Sequence, residues 1–234
     1  MRVAIVTFPG SNCDYDCYKA VTDVLGAEAY YRWHRESELG ECDAVILPGG
    51  FSYGDYLRAG AIARFSPIMD AVIAFARSGG PLLGICNGFQ VLCEAGLLPG
   101  ALVKNRSLKF QGESARVRVD NNETMFTHLY RKHQVLELHI AHGQGNYVAD
   151  DETLARLEGE GRIVFRYVDA AGNPTDAGNV NGSMHNIAGI ISEQGNVLAL
   201  MPHPERSVEP LLGSTDGLPL FQSLAAHLSG AGVG

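Results

Sequence analysis

Hydrophobic residues in the first half of the chain fall into two alternating patterns. Continuous apolar runs at Val3–Phe8 and Ala44–Leu47 are typical of strands buried on both faces of a parallel sheet. Asp14–Leu25 and Pro67–Arg77 instead repeat their apolar residues at helical spacing, and Glu28–Trp33 predicts a further strand. Strands that alternate with helices indicate a doubly wound α/β fold with a mostly parallel sheet.

The stretch Pro81–Leu92 predicts a buried strand, a tight turn and a helix in direct succession. Cys86 lies in the turn, between Gly84 and Gly88. This is the pattern of a nucleophile elbow, with cysteine in the place where serine is more common. A helix N-terminus stabilises a thiolate through its unpaired N–H groups. The alternative is a cysteine that only fills the core, because free cysteine is among the most buried residue types.

The pattern changes in the second half of the chain. Between Ala101 and Tyr147 apolar and polar residues alternate, which predicts antiparallel strands with one solvated face. We expect Gly159–Asn181 to be rich in strands and turns, Val197–Met201 to be another buried strand, and Leu218–Leu228 to be the last helix. The fold class is therefore α/β, with an antiparallel β section added to a parallel sheet.

His203 and Glu205 form the best candidate for a base that serves Cys86. The predicted strand Val197–Met201 leads directly to His203, as another strand leads to Cys86, so both residues are expected at the same edge of the sheet. In extended chain, residues two apart point the same way, so the Glu205 carboxylate can accept the imidazole N–H. A proline-rich loop without a catalytic role is the alternative. Gly49 and Gly50 form a turn that also follows a predicted strand, so they are expected at this edge. The alternative is an ordinary turn without a functional role.

Composition limits the classes of function. A chain of 234 residues with 46% apolar residues can bury one sizeable core, so we expect a single domain over residues 1–234. The net charge of −8 argues against nucleic-acid and anionic-membrane partners. Five scattered cysteines favour a reducing compartment, and Cys13 and Cys17 are expected to pack in the core, with no metal assigned. No apolar run is long enough to span a membrane, so we expect a soluble, cytoplasmic protein.

A set of basic residues stands out against the acidic total. We expect these residues to form either a solvent-exposed face or a surface that binds a partner. They are Lys104, Arg106, Lys109, Arg116 and Arg118.

Seven segments of the chain resemble the class I glutamine amidotransferases, which use a Cys-His-Glu triad, and within them the purine-biosynthesis branch. They are VAIVTFPGSNCD from Val3, LPGGFSYGDYLRAG from Leu47, GICNGFQ from Gly84, NRS from Asn105, NGS from Asn181, IAGI from Ile187 and MPHPER from Met201. The resemblance implies the class I glutamine amidotransferase fold, with a flavodoxin-like, mostly parallel sheet and an added antiparallel section.

The resemblance also implies the reaction. Cys86, His203 and Glu205 would hydrolyse glutamine to glutamate through a thioester, with the backbone N–H groups of Gly50 and Asn87 as the oxyanion hole. The residues expected to hold glutamine are Gln90, His142 and Gly143. One departure from the family pattern is Gln144, where glutamate is expected.

The partners are implied by the same resemblance. The ammonia would pass to a separate ATP-using synthetase subunit that converts formylglycinamide ribonucleotide to formylglycinamidine ribonucleotide, and a small accessory subunit would help to join the two. The chain has no glycine-rich phosphate-binding motif, so no cofactor is expected here, and ATP and Mg are expected on the synthetase. The residues alone also allow a general thiol hydrolase or a non-catalytic regulatory module.

Overall fold

The computed structural model describes residues 1–230, which form eleven strands and five helices. The strands are β1 Arg2–Thr7, β2 Glu28–Trp33, β3 Ala44–Leu47, β4 Leu82–Ile85, β5 Ala101–Val103, β6 Gln111–Val119, β7 Val135–His142, β8 Asn146–Val148, β9 Ile163–Tyr167, β10 Ile187–Ile191 and β11 Val197–Leu200. The helices are α1 Asp14–Lys19, α2 Ile68–Arg77, α3 Asn87–Glu94, α4 Asp151–Gly159 and α5 Leu218–Leu228. A π-helical turn over Ala20–Val24 extends α1.

Nine strands form one mixed sheet, in the order β2-β1-β3-β4-β11-β10-β9-β6-β7, and β5 pairs separately with β8. The first five strands of this order pair in parallel. Strands β3, β4 and β11 are buried along their whole length, as continuous apolar runs require. Helices lie on both sides of the sheet. The predicted doubly wound, mostly parallel fold is confirmed.

The added section is antiparallel, which is also confirmed. Strands β10, β9, β6 and β7 each pair in antiparallel fashion with their neighbours, and β7 alternates between buried and less buried positions. This arrangement extends the sheet beyond β11, on the side away from β1.

Gly159–Asn181 is rich in turns, as expected, but the expectation that it is also rich in strands was wrong, and one helix before it was not predicted. Only Ile163–Tyr167 forms a strand within Gly159–Asn181, because Asp169 closes a turn by accepting hydrogen bonds from the N–H groups of Ala171 and Asn173. Helix α4 was not predicted, although the Asp150 side chain caps it by accepting the Thr153 N–H at 2.7 Å. The helix buries only Leu154 and Leu157, so its apolar signal is short.

Helix α3 approaches the sheet closely because residue 88 is glycine. A Cβ atom built on Gly88 would overlap the carbonyl oxygen of Leu47 in β3. Backbone cannot yield as a flexible side chain can, so any larger residue must push α3 away from the strands that position Cys86.

We expect Gly88→Ala to lower the free energy of unfolding by about 1–3 kcal/mol, the usual cost of overpacking a core. Urea denaturation monitored by circular dichroism measures this change. Gly159→Ala is the matched control, because a Cβ there meets no atom within 4 Å. Equal stabilities for the two variants would contradict the close approach of α3.

No helix within residues 1–230 has the length and apolar character that crossing a membrane requires.

Candidate active site

Cys86 occupies the turn between β4 and α3 in an unusual backbone conformation. Its φ is 50° and its ψ is −103°, values that non-glycine residues rarely adopt. The Cys86 N–H donates to the carbonyl of Leu200 at 2.8 Å, which ties the turn to the end of β11. Such strain costs on the order of 1–3 kcal/mol and persists where the surrounding structure fixes it, which is common at functional sites.

His203 and Glu205 lie together at the end of β11 as a buried pair. The distance from His203 Nδ1 to Glu205 Oε1 is 2.6 Å, and the two residues are 1% and 2% exposed. The expectation of extended chain between them was wrong, because Pro204–Arg206 forms a 3₁₀ turn. The fixed φ of Pro204 suits the first position of such a turn. The contact between His203 and Glu205 forms nevertheless, and it orients the imidazole through Nδ1.

The environment of His203 favours its protonated form. Burial by itself lowers the pKa of this imidazole, but the negative charges of Glu205 and Cys86 more than compensate and raise the pKa well above its ordinary value. The other ring nitrogen, Nε2, is buried and makes no hydrogen bond within the described residues. It is therefore available to the Cys86 sulfur and to a leaving group.

Two backbone N–H groups beside Cys86 are candidates for binding an oxyanion. Asn87 is the first residue of α3, so its N–H has no acceptor within the helix. The Gly49 carbonyl accepts the N–H groups of Asn12 and Cys13 at 3.3 and 3.2 Å. Because the next peptide is trans, the Gly50 N–H points away from that segment.

A small cavity of about 90 Å³ adjoins Cys86, and the predicted substrate-binding residues Gln90, His142 and Gly143 line it. The Gln90 side chain is already engaged, since its Nε2 donates to the Gln144 carbonyl at 2.7 Å. His142 is free, since neither ring nitrogen has a hydrogen-bond partner among the described residues. Burial lowers the pKa of His142 to about 4, so its imidazole is neutral at physiological pH.

Cys13 lies beside the catalytic candidates, which the sequence did not predict. It is buried, as expected, but its Sγ accepts from Arg206 Nη2 at 3.1 Å. A Cβ on Gly49 would lie 2.7 Å from His203 Cε1 and 3.0 Å from Cys13 Sγ, so both groups pack against this glycine. The available signal was topological, because Cys13 follows β1 at the same sheet edge.

Cys13, His203 and Glu205 converge closely enough to be considered as a metal site. Their side-chain donor atoms all lie within 4.8 Å of one another. The Arg206 guanidinium, in contact with Cys13, places a positive charge beside this group and opposes a cation there. We therefore assign no metal to it.

The members of the basic set differ in burial. Arg118 donates to Asp120 through Nε at 2.6 Å and Nη2 at 3.1 Å, and both side chains are mostly buried. Arg106 is exposed and lies 3.9 Å from Asp176. Arg118 thus has a structural partner, which separates it from the exposed members of the set.

A larger groove of about 750 Å³ lies between α1 and β7. Glu205 and Arg206 line it, and Cys86 does not. Cys86, the predicted nucleophile, lines the smaller cavity instead.

Comparison with known proteins identifies the family of the chain. The model of the CobB/CobQ-like glutamine amidotransferase domain matches residues 1–217. Phosphoribosylformylglycinamidine synthase subunit PurQ of Chlorobaculum tepidum is 60% identical over 231 residues, covering 99% of each chain. The PurQ subunit of Moorella thermoacetica is 57% identical and covers 96% of this chain and 95% of its own.

Among solved structures, a chain of PurLQS from Thermotoga maritima superposes with a TM-score of 0.86 at 43% identity, covering 97% of this chain and 98% of that one. The chain therefore belongs to the glutamine amidotransferase family, and within it to the PurQ subunits of phosphoribosylformylglycinamidine synthase.

Proposed function

We propose that this chain is the glutaminase subunit of phosphoribosylformylglycinamidine synthase and that Cys86, His203 and Glu205 carry out its chemistry. One observation carries the assignment of roles: a strained cysteine and a buried His–Glu pair end neighbouring parallel strands of one sheet. In a chain 60% identical to a PurQ subunit, this arrangement supports thioester chemistry on glutamine.

The first half of the reaction makes the thioester. The Cys86 thiolate attacks the carboxamide carbon of glutamine, and the C=O electron pair moves to oxygen as the S–C bond forms. The N–H groups of Gly50 and Asn87 stabilise the oxyanion. His203, protonated through its neighbours Glu205 and Cys86, gives its proton to the amide nitrogen, so the C–N bond breaks and ammonia leaves.

The second half restores the enzyme. Neutral His203 takes a proton from water, whose oxygen attacks the thioester carbon and forms a second oxyanion at the same N–H groups. Collapse of that oxyanion breaks the C–S bond, releases glutamate and returns the thiolate. Glu205 keeps Nδ1 protonated throughout, so Nε2 is the nitrogen that exchanges protons.

The ammonia is used by other subunits of the same complex. The PurL synthetase uses ATP to convert formylglycinamide ribonucleotide to formylglycinamidine ribonucleotide, and PurS is the small accessory subunit. We propose that this chain binds no cofactor, acts as one domain and works in the cytoplasm. The test of this assignment compares the rate of glutamate release from glutamine with the rates at which the chain hydrolyses a peptide and an ester. Faster hydrolysis of the peptide or the ester would contradict it.

We expect Glu205→Gln to slow glutamine hydrolysis by orders of magnitude, but less than removal of Cys86 does, because the imidazole loses its orientation and its tautomer control. Loss of the Glu205 charge also lowers the pKa of His203, since that charge raises it in the unsubstituted chain. The alkaline limb of the profile of kcat/KM against pH should therefore move to lower pH.

Steady-state glutamate release between pH 6 and 10 measures both effects. Glu160→Gln is the matched control, because Glu160 pairs with Arg162 and neither residue lines the cavity beside Cys86. An unchanged rate and pH profile for Glu205→Gln would show that another group orients His203.

A further inference from the structure

Asp55 lies in the loop that follows β3 and lines the same cavity as Cys86. Its Oδ1 is buried and accepts no hydrogen bond from the described residues. A buried carboxylate oxygen without a partner is costly and is seldom retained for stability alone. The cavity therefore contains an acceptor that the protein itself does not satisfy.

Hydrogen bonds from backbone N–H groups hold the loop that carries Asp55. The Ser52 N–H donates to the Asn87 side chain at 3.2 Å, and the Tyr53 N–H donates to the Pro9 carbonyl at 2.7 Å. Asp55 itself has a left-handed backbone with φ of 55°. The backbone of the loop that carries this carboxylate is thus positioned by the fold.

Within residues 1–230, Asp55 forms no salt bridge with a basic side chain. The basic residue closest in sequence, Arg58, is engaged elsewhere, since its Nη2 donates to Glu94 Oε2 at 2.9 Å. The titratable groups that line the cavity with Asp55 are Cys86 and His142, and the imidazole of His142 is neutral. Burial raises the pKa of Asp55 to about 6, so it is ionised at physiological pH at some cost to the fold.

We propose that the Asp55 carboxylate binds the α-ammonium group of glutamine. This inference rests on the proposed function, because it identifies the occupant of the cavity as glutamine. Glutamine presents three polar groups: the carboxamide, which meets Cys86, the α-carboxylate and the α-ammonium. Only the ammonium is a cation, and it supplies the N–H donors and the charge that Asp55 lacks. Asp55 is then a specificity-determining residue that selects amino-acid amides over simple amides.

The test compares two substrates in the assembled complex. Glutamine carries the α-ammonium, and glutaramate is the same molecule without it. For Asp55→Asn we expect KM for glutamine to rise about 10- to 100-fold, as the loss of a hydrogen bond between charged groups predicts, with kcat changed little. For glutaramate, kcat/KM should not fall. Asp176→Asn is the control, because Asp176 is 94% exposed and outside the cavity.

A stability measurement separates substrate binding from a structural role. Because folding raises the pKa of Asp55, protonation favours the folded state at low pH, and this contribution is lost as the pH rises through about 6. Asp55→Asn avoids that loss, so its Tm at pH 8 should equal or exceed that of the unsubstituted chain.

Three results would overturn the inference: an unchanged KM for glutamine, an equal loss with glutaramate, or a lower Tm at pH 8. Failure of the proposed function would look different, since the unsubstituted complex would then release no glutamate from glutamine.

Discussion

Cys86→Ala is expected to abolish glutamine-dependent synthesis by the complex while synthesis from added ammonium continues. The sulfur forms the only covalent bond to substrate in the proposed mechanism, and removing a catalytic nucleophile costs on the order of 10⁶-fold in turnover in a well-studied serine protease. Ammonium bypasses the glutaminase step, so the synthetase retains its substrate. Both rates are measured as product formed from formylglycinamide ribonucleotide and ATP, with glutamine or with ammonium chloride.

Cys93→Ala is the matched control, because Cys93 lies in α3 and its Sγ contacts the Pro99 carbonyl at 3.7 Å, away from the site. It should preserve both rates. If Cys86→Ala also lost the ammonium-dependent rate in a properly assembled complex, the residue would be structural.

Gly50→Ala is expected to reduce glutamine-dependent turnover by about 100- to 1,000-fold, the typical cost of losing one oxyanion-hole donor. A Cβ on Gly50 would lie 2.7 Å from the Gly10 carbonyl oxygen and from Ser11 Cα, and the φ of 147° is one that L residues rarely adopt. The peptide must therefore shift, and its N–H moves with it. Ammonium-dependent synthesis should be unchanged.

Gly79→Ala is the control for a positive φ without crowding, since φ is 92° there and a Cβ meets no atom within 4 Å. It should cost some stability and no glutaminase activity. Equal turnover for Gly50→Ala and the unsubstituted chain would show that the Gly50 N–H is not part of the oxyanion hole.

The sequence predicts the parallel half of the fold well, because its strands are fully buried and their apolar runs are continuous. Once Cys86 and His203 each follow such a strand, topology alone brings them to one edge. Gly84 and Gly88 predict the turn at Cys86. This part of the site depends on chain order and strand direction, which can be inferred from a single sequence.

Residues that reach the site through loops are harder to predict. Asp55 belongs to an irregular segment in which Tyr53, Asp55 and Leu57 all have positive φ. No periodic pattern in the sequence predicts such a backbone conformation. The sequence predicts Cys13 only as a core residue, and it is indeed buried. Its contact with Arg206, 193 residues away in sequence, could not be predicted from local pattern. The 3₁₀ turn after His203 was hidden by a proline pattern that also suits extended chain.

The most direct test of the account is to trap the covalent intermediate. The complex is incubated with isotopically labelled glutamine, quenched in acid, digested and examined by mass spectrometry, with the unsubstituted chain and Glu205→Gln in parallel. The account predicts one glutamyl group on the peptide that contains Cys86 and none on the peptide that contains Cys13, the other buried thiol beside His203. Glutamate formation with no glutamyl group on Cys86, or with the group on Cys13, would contradict it.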